Sequence, residues 1–263
     1  MSGFAEKAME DMRLTHRRVL VPRGGPWGDR VAASLRAQGA EPIVAPMINF
    51  APAADFEALH DAIRRLAAGQ FDWVSLTSAT TVDVLSYQQA VIPDSTRVAA
   101  VGETTAAALT AAGYRVDLVP EHENSASGML AEWNDIRRGT PLRVLTLRSD
   151  IAKPVLSEGL IELGHDVTQV VAYRTVGVPV DPAIVDDVRS GRIGAVLVTS
   201  GSVAEQIVEQ FGPLPEQTIV ACIGPVTAHD AEAAGLHVTV TADHRTATGL
   251  IEAVISVADE ERE

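Results

Sequence analysis

The stretch VLVTSGS, residues 196–202, decides the fold. Val196, Leu197 and Val198 have the apolar composition of a strand covered on both faces, as in a parallel sheet. Ser200, Gly201 and Ser202 then turn the chain into segment 203–211, whose apolar spacing reads as a helix. A strand running straight into a helix leaves orphan backbone N–H groups at the sheet edge, and hydroxyl side chains or anions satisfy them. The same pattern stands earlier, in VSLTSATTV at residues 74–82.

The two copies are in register. From Ser78 to Gly102 is 24 positions, and from Ser200 to Gly224 is also 24, so a shift of 122 relates both pairs. A shift of 125 carries Arg18, Arg23 and Gly39 onto Arg143, Arg148 and Gly164. The chain therefore reads as A, B, A′, B′, each unit alternating strand and helix, which calls for parallel sheets with right-handed crossovers. The expected fold class is α/β: two similar doubly wound parallel-sheet lobes with a cleft between them. Strands are expected at 18–23, 71–77, 97–102, 114–119, 143–148, 195–199, 218–224 and 237–241, with 41–50 and 167–175 extended. Helices are expected at 29–38, 55–68, 81–89, 104–112, 154–163, 182–190, 203–211, 226–234 and 248–258.

Composition agrees with that layering. Hydrophobic residues make up 46% of the 263 positions but aromatics only 4%, so the cores must be built from Val, Leu, Ile and Ala. Twenty-one Lys and Arg against 35 Asp and Glu give a net charge of −14, which makes the chain a poor partner for nucleic acid or an anionic membrane. No apolar run approaches the length needed to span a bilayer, and the N-terminal stretch lacks the apolar core of a signal peptide. Residues 1–16 read as a short helical or disordered extension. Cys222, the only cysteine, excludes an internal disulfide and fits a cytoplasmic setting; it lies in an apolar run and reads as a buried strand thiol.

Ligands of open α/β sheets bind beyond the carboxyl ends of the strands. There the first half carries Thr77, Ser78 and Thr80 with Gly102, Thr104 and Thr105. The second half carries Thr199, Ser200, Gly201 and Ser202 with Gly224 and Thr227. One such hydroxyl is ordinarily just a helix cap. Four hydroxyl-rich turns at equivalent ends make donor nests suited to carboxylates or phosphates. Arg23 and Arg148, the latter followed by Ser149, stand at equivalent positions after the first strand of each A unit and could each fork onto a carboxylate. Tyr173 replaces Ile48 of the other copy, and its phenol could donate a hydrogen bond as an acid or simply pack in a strand. The GGPWGD turn at 24–29 has neither dinucleotide nor Walker spacing, no GxSxG elbow occurs, and the seven histidines form no ligand pair, so neither metal nor cofactor is expected.

At this point the residues resemble the uroporphyrinogen-III synthase family. The likeness is carried by VSLTSATTVDVL, VAAVGETTAAALTAAGYRV, VVAYRT, VLVTSGSVAEQ and IGPVTAHDAEAAGLHVTVTA, and it covers roughly residues 17–257. The resemblance implies lobes discontinuous in sequence: 17–45 with 178–263, and 53–170, joined by extended linkers at 46–52 and 171–177. It implies an enzyme, a cyclising hydro-lyase that closes hydroxymethylbilane with inversion of ring D and loss of water. Spontaneous closure gives the wrong isomer, so the task is largely one of orientation. The family tyrosine that assists hydroxyl departure matches Tyr173, and Thr227 of IGPVTA matches another family active-site position. The substrate implied is a linear tetrapyrrole polycarboxylate bound by a cytoplasmic monomer. Where the family often has asparagine or arginine after TS, this chain has Ala79 and Thr80. The competing expectation is a non-enzymatic two-lobed binding or regulatory protein for a small polyanion.

Overall fold

The computed structural model describes residues 13–133 and 140–261. The strands are β1 (Arg18–Val21), β2 (Glu41–Val44), β3 (Ile48–Pro52), β4 (Trp73–Leu76), β5 (Arg97–Ala100), β6 (Arg143–Ser149), β7 (Asp166–Gly177), β8 (Ala195–Val198), β9 (Ile219–Cys222) and β10 (Val240–Thr241). The helices are α1 (Gly25–Ala37), α2 (Phe56–Ala67), α3 (Ala79–Tyr87), α4 (Glu103–Ala111), α5 (Ala126–Trp133), α6 (Val155–Glu162), α7 (Pro182–Arg189), α8 (Gly201–Phe211), α9 (Pro225–Ala233) and α10 (Ala247–Glu260). They form two compact units, one spanning Phe50–Thr175 and the other made from the chain on either side of it.

Each unit holds one five-stranded sheet, ordered β10-β9-β8-β1-β2 in the discontinuous unit and β3-β7-β6-β4-β5 in the other. The ladders β1–β2, β1–β8, β8–β9 and β9–β10 are parallel, as are β4–β5, β4–β6 and β6–β7. The A strands thus pair with the B′ strands, and A′ with B. Side chains alternate across each sheet: Leu20, Val196, Val198 and Val220 enter one core layer, whereas Val19, Val21, Ala195 and Leu197 enter the layer on the opposite face. In the other unit Val74, Leu76, Leu145 and Leu147 face one layer, and Trp73 and Val144 the other. Both faces are therefore covered, which is why β4, β8 and β9 are buried at every position.

The shift of 122 survives in side-chain detail. Thr96 Oγ1 donates to the Phe71 carbonyl, and Thr218 Oγ1 to that of Ile193. The Asp117 carboxylate accepts the Val98 N–H as Thr239 Oγ1 accepts that of Val220. These two contacts also correct the expected edge strands. In the first copy only an isolated bridge, Ala99 to Leu118, remains of 114–119, and in the second only Val240–Thr241 of 237–241. At both edges a side-chain oxygen takes a ladder position that a backbone carbonyl would otherwise fill.

Three further expectations change. The extended stretch 41–50 divides into β2 and β3, with the N–H groups of Ala45 and Met47 turned back onto Val21 and Pro22 around Pro46, which has none to give. Helix α5 had no sequence expectation; Ser125 Oγ accepts the Gly128 N–H at its start. Of the expected extension, residues 1–12 lie outside the described residues, but Leu14 is 1% exposed and packs with Val19 and Leu35. The segment just ahead of β1 is therefore part of a core.

Cys222 is wholly buried on β9, and burial, with Glu232 adding to it, pushes its thiol up to about 12. Iodoacetamide at pH 8 is expected to leave the native protein unlabelled and to alkylate Cys222 once urea unfolds it. Rapid labelling of the native state would contradict the placement.

Candidate functional site

In a doubly wound sheet the helices after two neighbouring strands leave for opposite faces at one point, opening a crevice at the carboxyl edge. In the Phe50–Thr175 unit this point lies between β6 and β4. Leu156 and Leu160 of α6 pack in one core layer, and Val82 and Leu85 of α3 in the opposite one. In the discontinuous unit it lies between β1 and β8, because Val31 and Leu35 of α1 and Val203 and Ile207 of α8 part in the same way.

At the first of these points β4 is followed by Thr77 and Ser78. Ser78 keeps an extended backbone (φ −152°, ψ 152°) and caps α3, its Oγ accepting the Thr81 N–H at 3.3 Å. The same Oγ lies 3.0 Å from Thr81 Oγ1 and 3.0 Å from the Tyr173 phenol oxygen. Tyr173 is 7% exposed, and Phe50 meets its ring edge-on at 5.2 Å. Ser149 is buried and pairs with Tyr173 across β6–β7, just after a register shift between Arg148 and Ser149. The result is a row of three hydroxyls, Thr81–Ser78–Tyr173. A serine hydroxyl has one proton and two lone pairs. With one lone pair taken by the Thr81 N–H, Ser78 can donate to one hydroxyl neighbour and accept from the other. When it donates to Tyr173, the phenol proton is released to point at a ligand.

Arg148 departs from its expected role. It lies inside β6 rather than beyond it, because the β6–β7 ladder runs further than the β1–β2 ladder. Its Nη1 donates to the carbonyls of Ser149, Asp150 and Ala152 at 3.0, 3.3 and 2.6 Å. With the Gln169 amide turned so that both its atoms are satisfied, Gln169 accepts from Nε and Nη2 of Arg148 and donates to Ser157 Oγ. The guanidinium is thereby spent on holding the loop after β6. Arg23, its counterpart, is different: it has no ion pair among the described residues and lies 4.9 Å over the Trp27 ring, and desolvation lowers its pKa from the usual arginine value. It remains a cation beside the β1–β8 switch point.

The remaining expected residues divide by exposure. Ser200 caps α8 as Ser78 caps α3, its Oγ accepting the Val203 N–H at 3.3 Å and contacting Ser202 Oγ at 3.0 Å. Thr199 Oγ1 is buried without a hydrogen-bond partner. Gly201 lies against Asp230, where a Cβ would come within 3.0 Å of the carboxylate. Gly102 and Gly224 precede α4 and α9, and Gly102 holds φ +124°, a conformation that disfavours a side chain. Thr227 is 8% exposed, and its partner under the shift of 122 is Thr105, also buried. Thr104, the expected donor, is exposed and matches Val226 instead.

Sequence reasoning missed a pocket of about 340 Å³ beside Tyr173, lined by Phe50, Phe56, Thr80, Asp83, Tyr87 and Ala172 among others. The signal was present in α3, where Thr80, Asp83, Val84, Tyr87 and Gln88 fall on one helical face. Among the described residues no cluster of three or more His, Cys, Asp or Glu could hold a metal ion, and no helix is long and apolar enough to cross a membrane.

Comparison with known proteins gives one consistent result. The family model for uroporphyrinogen-III synthase HemD matches residues 29–252. A candidate uroporphyrinogen-III synthase of Methanothermobacter thermautotrophicus is 31% identical over 238 residues, covering 84% of this chain and 90% of its own. The uroporphyrinogen-III synthase of Synechococcus elongatus is 27% identical over 266 residues, covering 94% and 97%. Among solved structures, a mutant uroporphyrinogen III synthase of the extremely thermophilic bacterium Thermus thermophilus is similar in fold, with a TM-score of 0.64 at 18% identity over 93% of this chain and 99% of that one. The corresponding Helicobacter pylori protein gives 0.62 at 17% identity over 92% and 100%.

The two arginines are separable by experiment. Arg148→Met strands three carbonyls at the end of β6 and is expected to cost about 1–3 kcal/mol in urea unfolding. Arg23→Met loses only an exposed ring contact, worth about 0.5–1 kcal/mol. Equal losses from both would contradict the different roles read here.

Proposed function

The chain belongs to the uroporphyrinogen-III synthase family, and we propose that it carries out the reaction of that family, closing hydroxymethylbilane into a macrocycle with inversion of ring D and loss of water. A non-enzymatic binding protein is not favoured, because the matched family and the relatives are named as synthases. One observation carries the chemical assignment: the Tyr173 phenol stands 3.0 Å from Ser78 Oγ at the β6–β4 switch point, beside an open pocket.

The step needs a hydroxyl to depart from a carbon next to a pyrrole ring. Hydroxide is a poor leaving group, and a positioned acid converts it to water as the C–O bond breaks. Tyr173 supplies that proton, while Ser78, donating to the phenol oxygen, steadies the negative charge left there. Inversion requires ring D to bond first through the carbon that already carries its methylene bridge; that bridge then breaks and re-forms at the ring's free α-carbon, which gives up its proton, and the tyrosinate takes it back. Water is the only net loss, so the step is redox-neutral and the enzyme a cyclising hydro-lyase.

Orientation is the larger task, since uncatalysed closure already occurs and yields the wrong isomer. The acetate and propionate arms suit the helix starts after β4 and β5 in one unit and after β8 and β9 in the other, where each turn offers backbone N–H groups, joined by the hydroxyls of Ser200 and Ser202 after β8. Thr77, Thr199, Gly102, Gly201 and Gly224 shape those turns. Thr104 and Arg23 extend them with an exposed hydroxyl and an unpaired cation. Thr227, buried at the start of α9, stands at the second position that matches the family's active site. Such local donors let a chain of net charge −14 bind a polyanion. We also infer two lobes joined by the extended stretches 46–52 and 171–177, acting as a cytoplasmic monomer.

Incubation with hydroxymethylbilane is expected to yield the type III isomer. Tyr173→Phe should lower kcat about a hundredfold while changing KM little. Formation of the spontaneous isomer alone by the wild type would end the enzymatic reading.

A further inference from the structure

The pocket beside Tyr173 is a groove between two helices of one unit. Its walls are Phe56 and Leu59 of α2 and the Thr80, Asp83, Val84, Tyr87 and Gln88 face of α3, and its floor is the β3 segment with Ala172 and Tyr173 of β7. The chain has only five phenylalanines, three tryptophans and three tyrosines. Four of them, Phe50, Phe56, Tyr87 and Tyr173, line this one groove. Tyr87 is 88% exposed, and Phe50 and Phe56 are about half exposed, 47% and 49%. Phe50 packs on Tyr173 and Phe56 stacks on His60, yet together with Tyr87 they leave a contiguous apolar surface open to water, the mark of a binding site.

The internal repeat supplies an independent control. Under the shift of 122 the α3 face becomes Ser202, Glu205, Gln206, Glu209 and Gln210 of α8. That copy is polar and engaged with its own chain: Gln210 donates to the Val178 carbonyl and accepts the Val180 N–H, and Gln206 covers Gly177. Two helices of common design thus present equivalent faces of opposite character, one closed by amides and one aromatic and open. The aromatic face is the one that adjoins the phenol.

We propose that this groove is a subsite for a single pyrrole ring of the substrate, with Asp83 accepting the ring N–H; the proposal rests on the synthase reading above. About 340 Å³ is near the lower bound of ligand pockets, roughly 300–1,000 Å³, so it suits one substituted ring and not a tetrapyrrole. Phe56 and Tyr87 offer the ring aromatic contacts. The Asp83 carboxylate has no hydrogen bond or ion pair among the described residues, and a carboxylate rejects the acid arms while accepting an N–H donor. The arms are thereby directed out of the groove, and the seated ring is held against Tyr173. The groove is thus a specificity determinant for which ring meets the acid, and Asp83 a binding residue.

The test uses Phe56→Ser/Tyr87→Ser, Asp83→Ala, and Val91→Ser as a control at an exposed apolar position that does not line the groove. Steady-state kinetics with hydroxymethylbilane should show KM raised about tenfold in the double variant with type III product retained at a reduced share. Asp83→Ala should raise KM in the same direction, and Val91→Ser should match the wild type. A dipyrromethane without acid side chains should inhibit the wild type competitively and lose potency against the double variant. Wild-type synthesis of the type III isomer, together with unchanged KM, isomer share and inhibition in the double variant, would overturn the subsite and leave the synthase reading standing. Failure of the wild type to make the type III isomer would overturn both.

Discussion

A parallel sheet covered on both faces has only its carboxyl edge left for chemistry, and the rest of this molecule follows from that constraint. β4, β8 and β9 are buried at every position, so no functional group can work from their faces. Each unit therefore has its own crevice, where α6 and α3 part between β6 and β4 in one and where α1 and α8 part between β1 and β8 in the other. Ser78 follows its strand at such a point. Its one side-chain oxygen does two things: it caps α3 and holds the phenol of a tyrosine from β7.

Duplication gave the two sheets a common plan, and what the copies no longer share marks the specialised parts. The threonines under β5 and β9, the side chains that replace ladder bonds at the edges, and the two serine caps are all preserved at a spacing of 122. The arginines after the first strands are not. Arg148 is consumed by carbonyls that stabilise the loop behind Tyr173, whereas Arg23 keeps its charge over Trp27. The faces of α3 and α8 have also diverged, towards rings in one and amides in the other. Architecture persists where backbone polar groups must be satisfied, and chemistry changes where side chains meet solvent.

Much of this was legible in the chain. The buried runs at 74–76 and 196–198, the small hydroxyl residues after them and the equal spacings suffice for parallel sheets with ligand-ready strand ends. The helix at 126–133 escaped notice because its match to α10 runs at a shift of 121, Gly128 falling on Gly249, one residue out of step with the rest. The overlong edge strands came from reading apolar alternation without seeing that Asp117 and Thr239 would supply ladder acceptors themselves. The Ser78–Tyr173 contact joins residues 95 positions apart, and periodicity carries no information at that range. Nor could the chain show Arg148 occupied, since that depends on how the loop after β6 curls its carbonyls inward.

The central claim is that Ser78 and Tyr173 act as one acid at the edge of β4, and a double-mutant cycle on kcat tests it most directly. Ser78→Ala, Tyr173→Phe and the double variant should be compared under conditions where all three remain folded, because the serine is also a helix cap. If Ser78 works through the phenol, the double variant should be no slower than Tyr173→Phe, within about twofold. Losses that multiply across the two sites would show that the residues act independently and would contradict the account.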